Sequence, residues 1–81
     1  MTASSRDEAR TLVAEALKVD VVSVSSEDHL NSIPEWDSLG QLQIVLAIEQ
    51  QTGRQIDDDE TFDLLTTIAG IEEFLEGCRN E

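Results

Sequence analysis

Aliphatic residues recur at helical spacing in three separate stretches of the chain. In "SSRDEARTLVAEALKV", Ala9, Leu12, Val13, Ala16 and Leu17 stand three and four residues apart and make one apolar stripe. Ser5 followed three residues later by Glu8 fits a capping box. Asp7 and Glu8 suit the positive end of the helix dipole, and Lys18 the negative end. A first helix is predicted over 5–18. In "LGQLQIVLAIEQQTG", Leu39, Leu42, Val45, Leu46 and Glu49 lie along one face, and Ile44 and Ile48 widen the apolar arc. Asp37 or Ser38 can cap this second helix and Gly53 can stop it, which gives 38–52. "TTIAGIEEFLEG" predicts a last helix over 67–76, with Thr66 or Thr67 as cap, Ile68, Ile71, Phe74 and Leu75 buried, and Gly77 as the stop. A short helical turn over 60–64 precedes it.

Between the first two helices, from Asp20 to Asp37, the helical pattern breaks. Val22 and Val24 alternate with Ser23 and Ser25 as in a strand, but a lone strand has no partner in so small a chain. A long loop pinned by Val22, Val24, Leu30 and Ile33 is the better expectation. Structureless loops beyond about 12–15 residues are uncommon and often functional. Pro34 fixes a turn four residues before Ser38. The expected fold is all-α: a small three- or four-helix bundle with a long loop between the first and second helices, forming a single domain over 1–81.

Composition narrows the partners more than the fold. A chain of 81 residues buries only about 60% of the surface its unfolded form exposes. Its aromatic residues are Trp36, Phe62 and Phe74, so the core must rest mainly on Leu, Ile and Val. The net charge of −13, with five Lys and Arg, argues against nucleic acid and anionic membranes and favours a basic protein surface. It also favours a monomer. Cys78, the single cysteine, has no partner for an internal disulfide or a cysteine metal site; it is expected to be a tail thiol in a reducing compartment. No apolar run approaches the roughly 20 residues of a membrane span, and "MTASSRDEAR" lacks a signal-peptide apolar region. A soluble, cytoplasmic protein is expected.

The residue that invites chemistry is Ser38, at the mouth of the most apolar helix. Self-contained nucleophilic catalysis fits poorly. The lone histidine, His29, reads as a solvated loop residue, and Asp37 and Ser38 are adjacent, which does not let them hold a histidine between them. The acidic run Asp57–Glu60 lacks the alternating ligands and central glycine of a calcium loop, so it reads as a solvated stretch and no metal is expected. Ser38 can be an ordinary N-cap, worth roughly 1 kcal/mol. A helix N-terminus also stabilises an anion through its free N–H groups, which suits a serine that carries a phosphoester.

"DSL" at Asp37 to Leu39, opening this helix, resembles the acyl carrier protein family. The likeness extends to the long loop "SEDHLNSIPEWDSL", to "QIDDDE" after the second helix and to "LLTTIAGIEEFL", and so covers roughly Ala9 to Leu75. The resemblance implies that Ser38 receives 4′-phosphopantetheine from a separate phosphopantetheinyl transferase, and that Asp37 helps this enzyme bind magnesium and orient the serine. The serine then needs no internal base. An acyl- or aminoacyl-loading ligase or transferase, and downstream synthase or tailoring enzymes, are the further partners implied. The domain itself would catalyse nothing and would present a tethered thioester to each enzyme in turn. The same resemblance implies a partner-facing set of Leu39, Gln43, Leu46, Glu49 and Ile56. Trp36 is either a packing anchor for the loop or part of that docking rim.

The sequence also departs from the family. Fatty-acid carriers commonly have an acidic residue just after the Ser-Leu pair; here Gly40 stands there, and Gln41, Gln43, Gln50 and Gln51 fill much of the helix. Between Ser38 and Ile56 the only acid is Glu49, so docking is expected to rest on shape, amides and Leu46 more than on salt bridges. The Gly-Gly-[His/Asp]-Ser pattern of peptidyl carriers is missing, and "EWDSLG" is closer to discrete carriers of specialised, polyketide-type pathways. Two rival readings remain: a carrier-like interaction module never modified at Ser38, and an acidic adaptor that occupies a basic cleft.

Overall fold

The computed structural model describes the backbone of residues 5–79 and the side chains of residues 7–78. Four helices follow in order: α1 (Ser5–Leu17), α2 (Ser38–Thr52), α3 (Asp59–Leu64) and α4 (Ile68–Arg79). α1 packs against both α2 and α4, and α3 against α4. The class is all-α, as the periodicity implies. Among the described residues the one extended pairing is an antiparallel bridge between His29 and Thr67. The Ser5 side chain of the expected capping box lies outside the described residues, as do Asn80 and Glu81 of the expected tail.

α1 and α4 bury the stripes their spacing predicts. Ala9, Leu12 and Val13 face Ile68, Ile71 and Leu75 in one continuous core, with Leu65 between α3 and α4. α1 ends where Lys18 turns left-handed (φ 61°) and the Val19 amide reaches back to the Ala14 carbonyl at 2.9 Å. The Thr67 hydroxyl accepts from the Gly70 amide at 2.9 Å and caps α4. α4 then runs past Gly77 to Arg79, which corrects the expected end at 76. A glycine stops a helix by turning left-handed. Gly53 does so at the end of α2 (φ 73°), whereas Gly77 does not. Cys78 is therefore a half-buried helical residue instead of a tail thiol.

α2 has an inner face that its spacing alone left open. Its buried face is Gly40, Gln41, Ile44, Val45 and Ile48, while Leu39, Leu42 and Leu46 stand 64%, 52% and 56% exposed. The helix is rotated by about one residue from the face its leucines mark. Hydrophobicity alone does not orient it, because apolar residues surround it; the inner face is the one carrying the β-branched side chains.

The long loop is held by polar contacts as much as by apolar anchors. Val24 is fully buried and Leu30 and Ile33 half so, but Val22 is 84% exposed, because Val21–Ser23 form a 3-10 turn in place of a strand. Arg10 reaches from α1 to the carbonyls of Val24 (Nε, 2.7 Å) and Val21 (Nη2, 3.2 Å). Asp28 takes the Ser25 amide and the Ser32 hydroxyl on its two carboxylate oxygens. Its main-chain carbonyl accepts from Ile68, and Leu30 donates to the Thr66 carbonyl, so the loop is stitched to the start of α4.

Trp36 closes the loop from within. It is fully buried, which removes it from the docking rim and makes it the packing anchor. A buried indole N–H requires an acceptor. Trp36 Nε1 donates to Gln41 Oε1 at 2.7 Å, and Gln41 Nε2 donates to the Leu65 carbonyl at 3.0 Å. Gln41, 1% exposed, is the buried polar side chain of the core, and no buried side-chain nitrogen or oxygen among the described residues lacks a partner. Leaving such a group unpaired costs about 1–3 kcal/mol. Gln41→Leu strands both the indole N–H and the Leu65 carbonyl, and Trp36→Phe strands the glutamine oxygen. Each single variant should lose at least about 1 kcal/mol in denaturant unfolding, and the double variant should lose less than the sum by about 1 kcal/mol or more. Strict additivity would show the bridge to be energetically idle.

Candidate functional site

Ser38 is the first residue of α2, and the cap before it is Asp37. Asp37 has extended backbone (φ −102°, ψ −167°), its Oδ1 accepts from the Gly40 amide at 2.9 Å, and its carbonyl accepts from Gln41. The cap role is therefore filled, and the exposed Ser38 hydroxyl has no hydrogen bond among the described residues. The second Asp37 oxygen is likewise unbonded among them.

Gly40 lets this corner form. A Cβ there would collide with the Glu35 carbonyl oxygen and lie 2.7 Å from Leu17 Cδ2. The loop backbone just before the site thus rests directly on the first turn of α2. With Trp36 anchored two residues upstream and Gln41 three downstream, Ser38 sits on a fixed ledge. Beside it is an open depression of about 250 Å³ bordered by Lys18, Glu35, Asp37, Leu39, Gly40 and Gln43.

The remaining expected residues separate into two groups. Leu39, Gln43 and Leu46 are exposed and, with Leu42, Ala47 and Gln50, line a shallow apolar groove of about 390 Å³ along α2. Leu42, which shares the leucine face of α2, belongs to this outer strip as well. Glu49 and Ile56 are half-buried and bind each other instead: Glu49 Oε2 accepts from the Ile56 amide at 2.8 Å. The one acid of α2 thereby ties down the loop that follows it, and Ile56 packs against the core.

Elsewhere, the acidic run is built into the start of α3. Asp58 caps it by accepting from the Thr61 amide and hydroxyl, both at 2.8 Å, and these bonds hold its pKa below the ordinary aspartate value. Among the described residues no three His, Cys, Asp or Glu side chains are grouped to hold a metal ion. His29 is exposed, its ring bonded through Nδ1 to the Leu30 carbonyl, and shares no hydrogen bond with Ser38. No helix of the described residues is long and apolar enough to cross a membrane.

A family described as "phosphopantetheine attachment site" matches residues 7–75, most of the chain. The chain belongs to that family. The match runs from within α1 to within α4 and includes the long loop, so it covers the ledge at Ser38 as well as the core. No individual curated protein matches the sequence. Members of the family carry 4′-phosphopantetheine covalently on a serine, and such carrier domains are generally non-catalytic. The chain is thus a phosphopantetheine carrier protein. An exposed, unbonded serine at a helix N-terminus fits the group, since a phosphoester there would be an anion at the positive end of α2.

Two stability measurements check this geometry. Asp37→Ala should cost the carrier about 1 kcal/mol, the worth of a cap, whereas Ser38→Ala should stay within about 0.5 kcal/mol in the same thermal melts. At the other end of α2, Glu49→Gln retains an acceptor for the Ile56 amide and should melt close to the parent. Glu49→Ala should lose about 1–2 kcal/mol. Equal melting of the two Glu49 variants would mean that the clasp contributes nothing.

Proposed function

We propose that Ser38 is the attachment site of 4′-phosphopantetheine, and that the domain carries an acyl or aminoacyl unit between partner enzymes of a specialised, polyketide-type pathway. The observation that carries the assignment is the division of labour at the start of α2: Asp37 caps the helix, which leaves the neighbouring hydroxyl exposed and unbonded. When bound, the arm supplies a terminal thiol on which the cargo rides as a thioester.

The protein's own residues prepare the acceptor. Ser38 Oγ forms the new bond to the phosphorus of coenzyme A that bears the pantetheine. The pyrophosphate bond breaks, the adenosine 3′,5′-bisphosphate departs with its electron pair, and the serine proton passes to the transferase. The unbonded oxygen of Asp37 is available to the magnesium that the transferase brings, while its other oxygen keeps the ledge in place. The Gly40 amide is taken by Asp37, so the remaining N–H groups at the start of α2, those of Ser38 and Leu39, and the positive end of the helix would favour the phosphoester.

Docking falls to the strip of Leu39, Leu42, Gln43 and Leu46, which begins beside Ser38 and runs about 12 Å along the helix at 1.5 Å per residue. Glu49 is withdrawn into its bond with Ile56, so this strip is uncharged. The partners are a phosphopantetheinyl transferase, a loading ligase or transferase, and a downstream synthase. A supply of coenzyme A and a single, unpaired cysteine both fit a cytoplasmic setting.

Intact mass before and after incubation with coenzyme A, magnesium and a broad-specificity phosphopantetheinyl transferase tests the assignment. The parent should gain one phosphopantetheine and Ser38→Ala none. No gain by a folded parent would favour the unmodified interaction module.

A further inference from the structure

The core beneath Ser38 is filled by the protein's own side chains. Ile44, Ile48, Leu65, Ile68 and Ile71 are fully buried, and the depressions near Ser38 are open surface features. The inner side of the site is also closed by polar contacts. Trp36 and Gln41 flank Ser38 in sequence, and their bonds run from the loop, through the inner face of α2, to the Leu65 carbonyl in the α3–α4 turn. A chain passing inward from Ser38 would meet this bridge in the first turn. It would have to displace the indole and strand its N–H donor and the Gln41 Oε1 acceptor in an apolar surrounding.

We propose that the Trp36–Gln41–Leu65 bridge bars the interior of the bundle to the cargo, so that the loaded unit stays outside the helices and belongs to the short or polar class, a small acyl or aminoacyl group, in preference to a long alkyl chain. This inference rests on attachment at Ser38. The bridge acts as a selector by exclusion: a long alkyl chain finds no apolar shelter here, whereas a small or polar unit needs none.

The protein contains its own reporter, because Trp36 is its single tryptophan and sits in the barrier. Full-length protein is loaded by a broad-specificity transferase from acetyl-, octanoyl- and dodecanoyl-coenzyme A, and each product is verified by intact mass. Trp36 emission, the methyl resonances of Ile44, Ile48, Leu65 and Ile68, and the thermal midpoint are then compared across the series. The expected result is that none of the three changes with chain length. Emission and core methyl shifts that grow with chain length, together with a rising midpoint, would show the chain entering the bundle and would overturn the inference, since a group that binds only the folded state raises its stability. No mass gain from any donor would remove the attachment reading itself, and the inference with it; that outcome is distinguished by the mass measurement alone.

Discussion

One glutamine organises this domain. Gln41 lies in the core of a small bundle, and its amide accepts from the indole of Trp36 and donates to the carbonyl of Leu65. It thereby joins three parts of the chain that apolar packing alone would leave free to slide: the end of the long loop, the inner face of α2, and the turn between α3 and α4. Apolar burial is non-directional and sets proximity; hydrogen bonds at fixed angles set register. Because Trp36 is two residues before Ser38, fixing the indole also fixes where the cap, the serine and the first turn of α2 stand.

The sequence made some of this legible and hid the rest for identifiable reasons. α1 and α4 are amphipathic, so their spacing marked both the elements and their inner faces. α2 is apolar nearly all round, so its spacing left the inner side open; Ile44, Val45 and Ile48 would have marked it only if Gln41 had been counted with them. A glutamine reads as surface until its partners are known, and those partners are distant in sequence or ambiguous, as Trp36 was. The same holds for Glu49. The resemblance placed it in the partner-facing set, but the bond to the Ile56 amide depends on a loop conformation that no local pattern encodes. At the site, "DSL" left Asp37 and Ser38 as equal candidates for the cap, and only backbone geometry assigns it to Asp37.

Energetics explain why a closed core suits this carrier. Burying a methylene group is worth about 0.8 kcal/mol, so a two-carbon unit gains too little to pull apart buried polar groups that cost about 1–3 kcal/mol each when stranded. With attachment at Ser38 and the cargo outside the helices, as proposed, the interior would remain packed, and change through the cycle would be confined to an exposed serine and the uncharged strip beside it. With stability in a chain this small resting on few contacts, separating the working surface from the core lets the domain exchange partners without loosening its fold.

Gly40 limits what the surface beside Ser38 can become. Where fatty-acid carriers commonly place an acid, this backbone position lies against the Glu35 carbonyl and the Leu17 side chain, so that no side chain fits without moving the loop that presents Ser38. A single substitution therefore cannot supply a carboxylate at that point while preserving the ledge. The constraint comes from contact beneath the helix, so changes elsewhere on the surface do not relieve it.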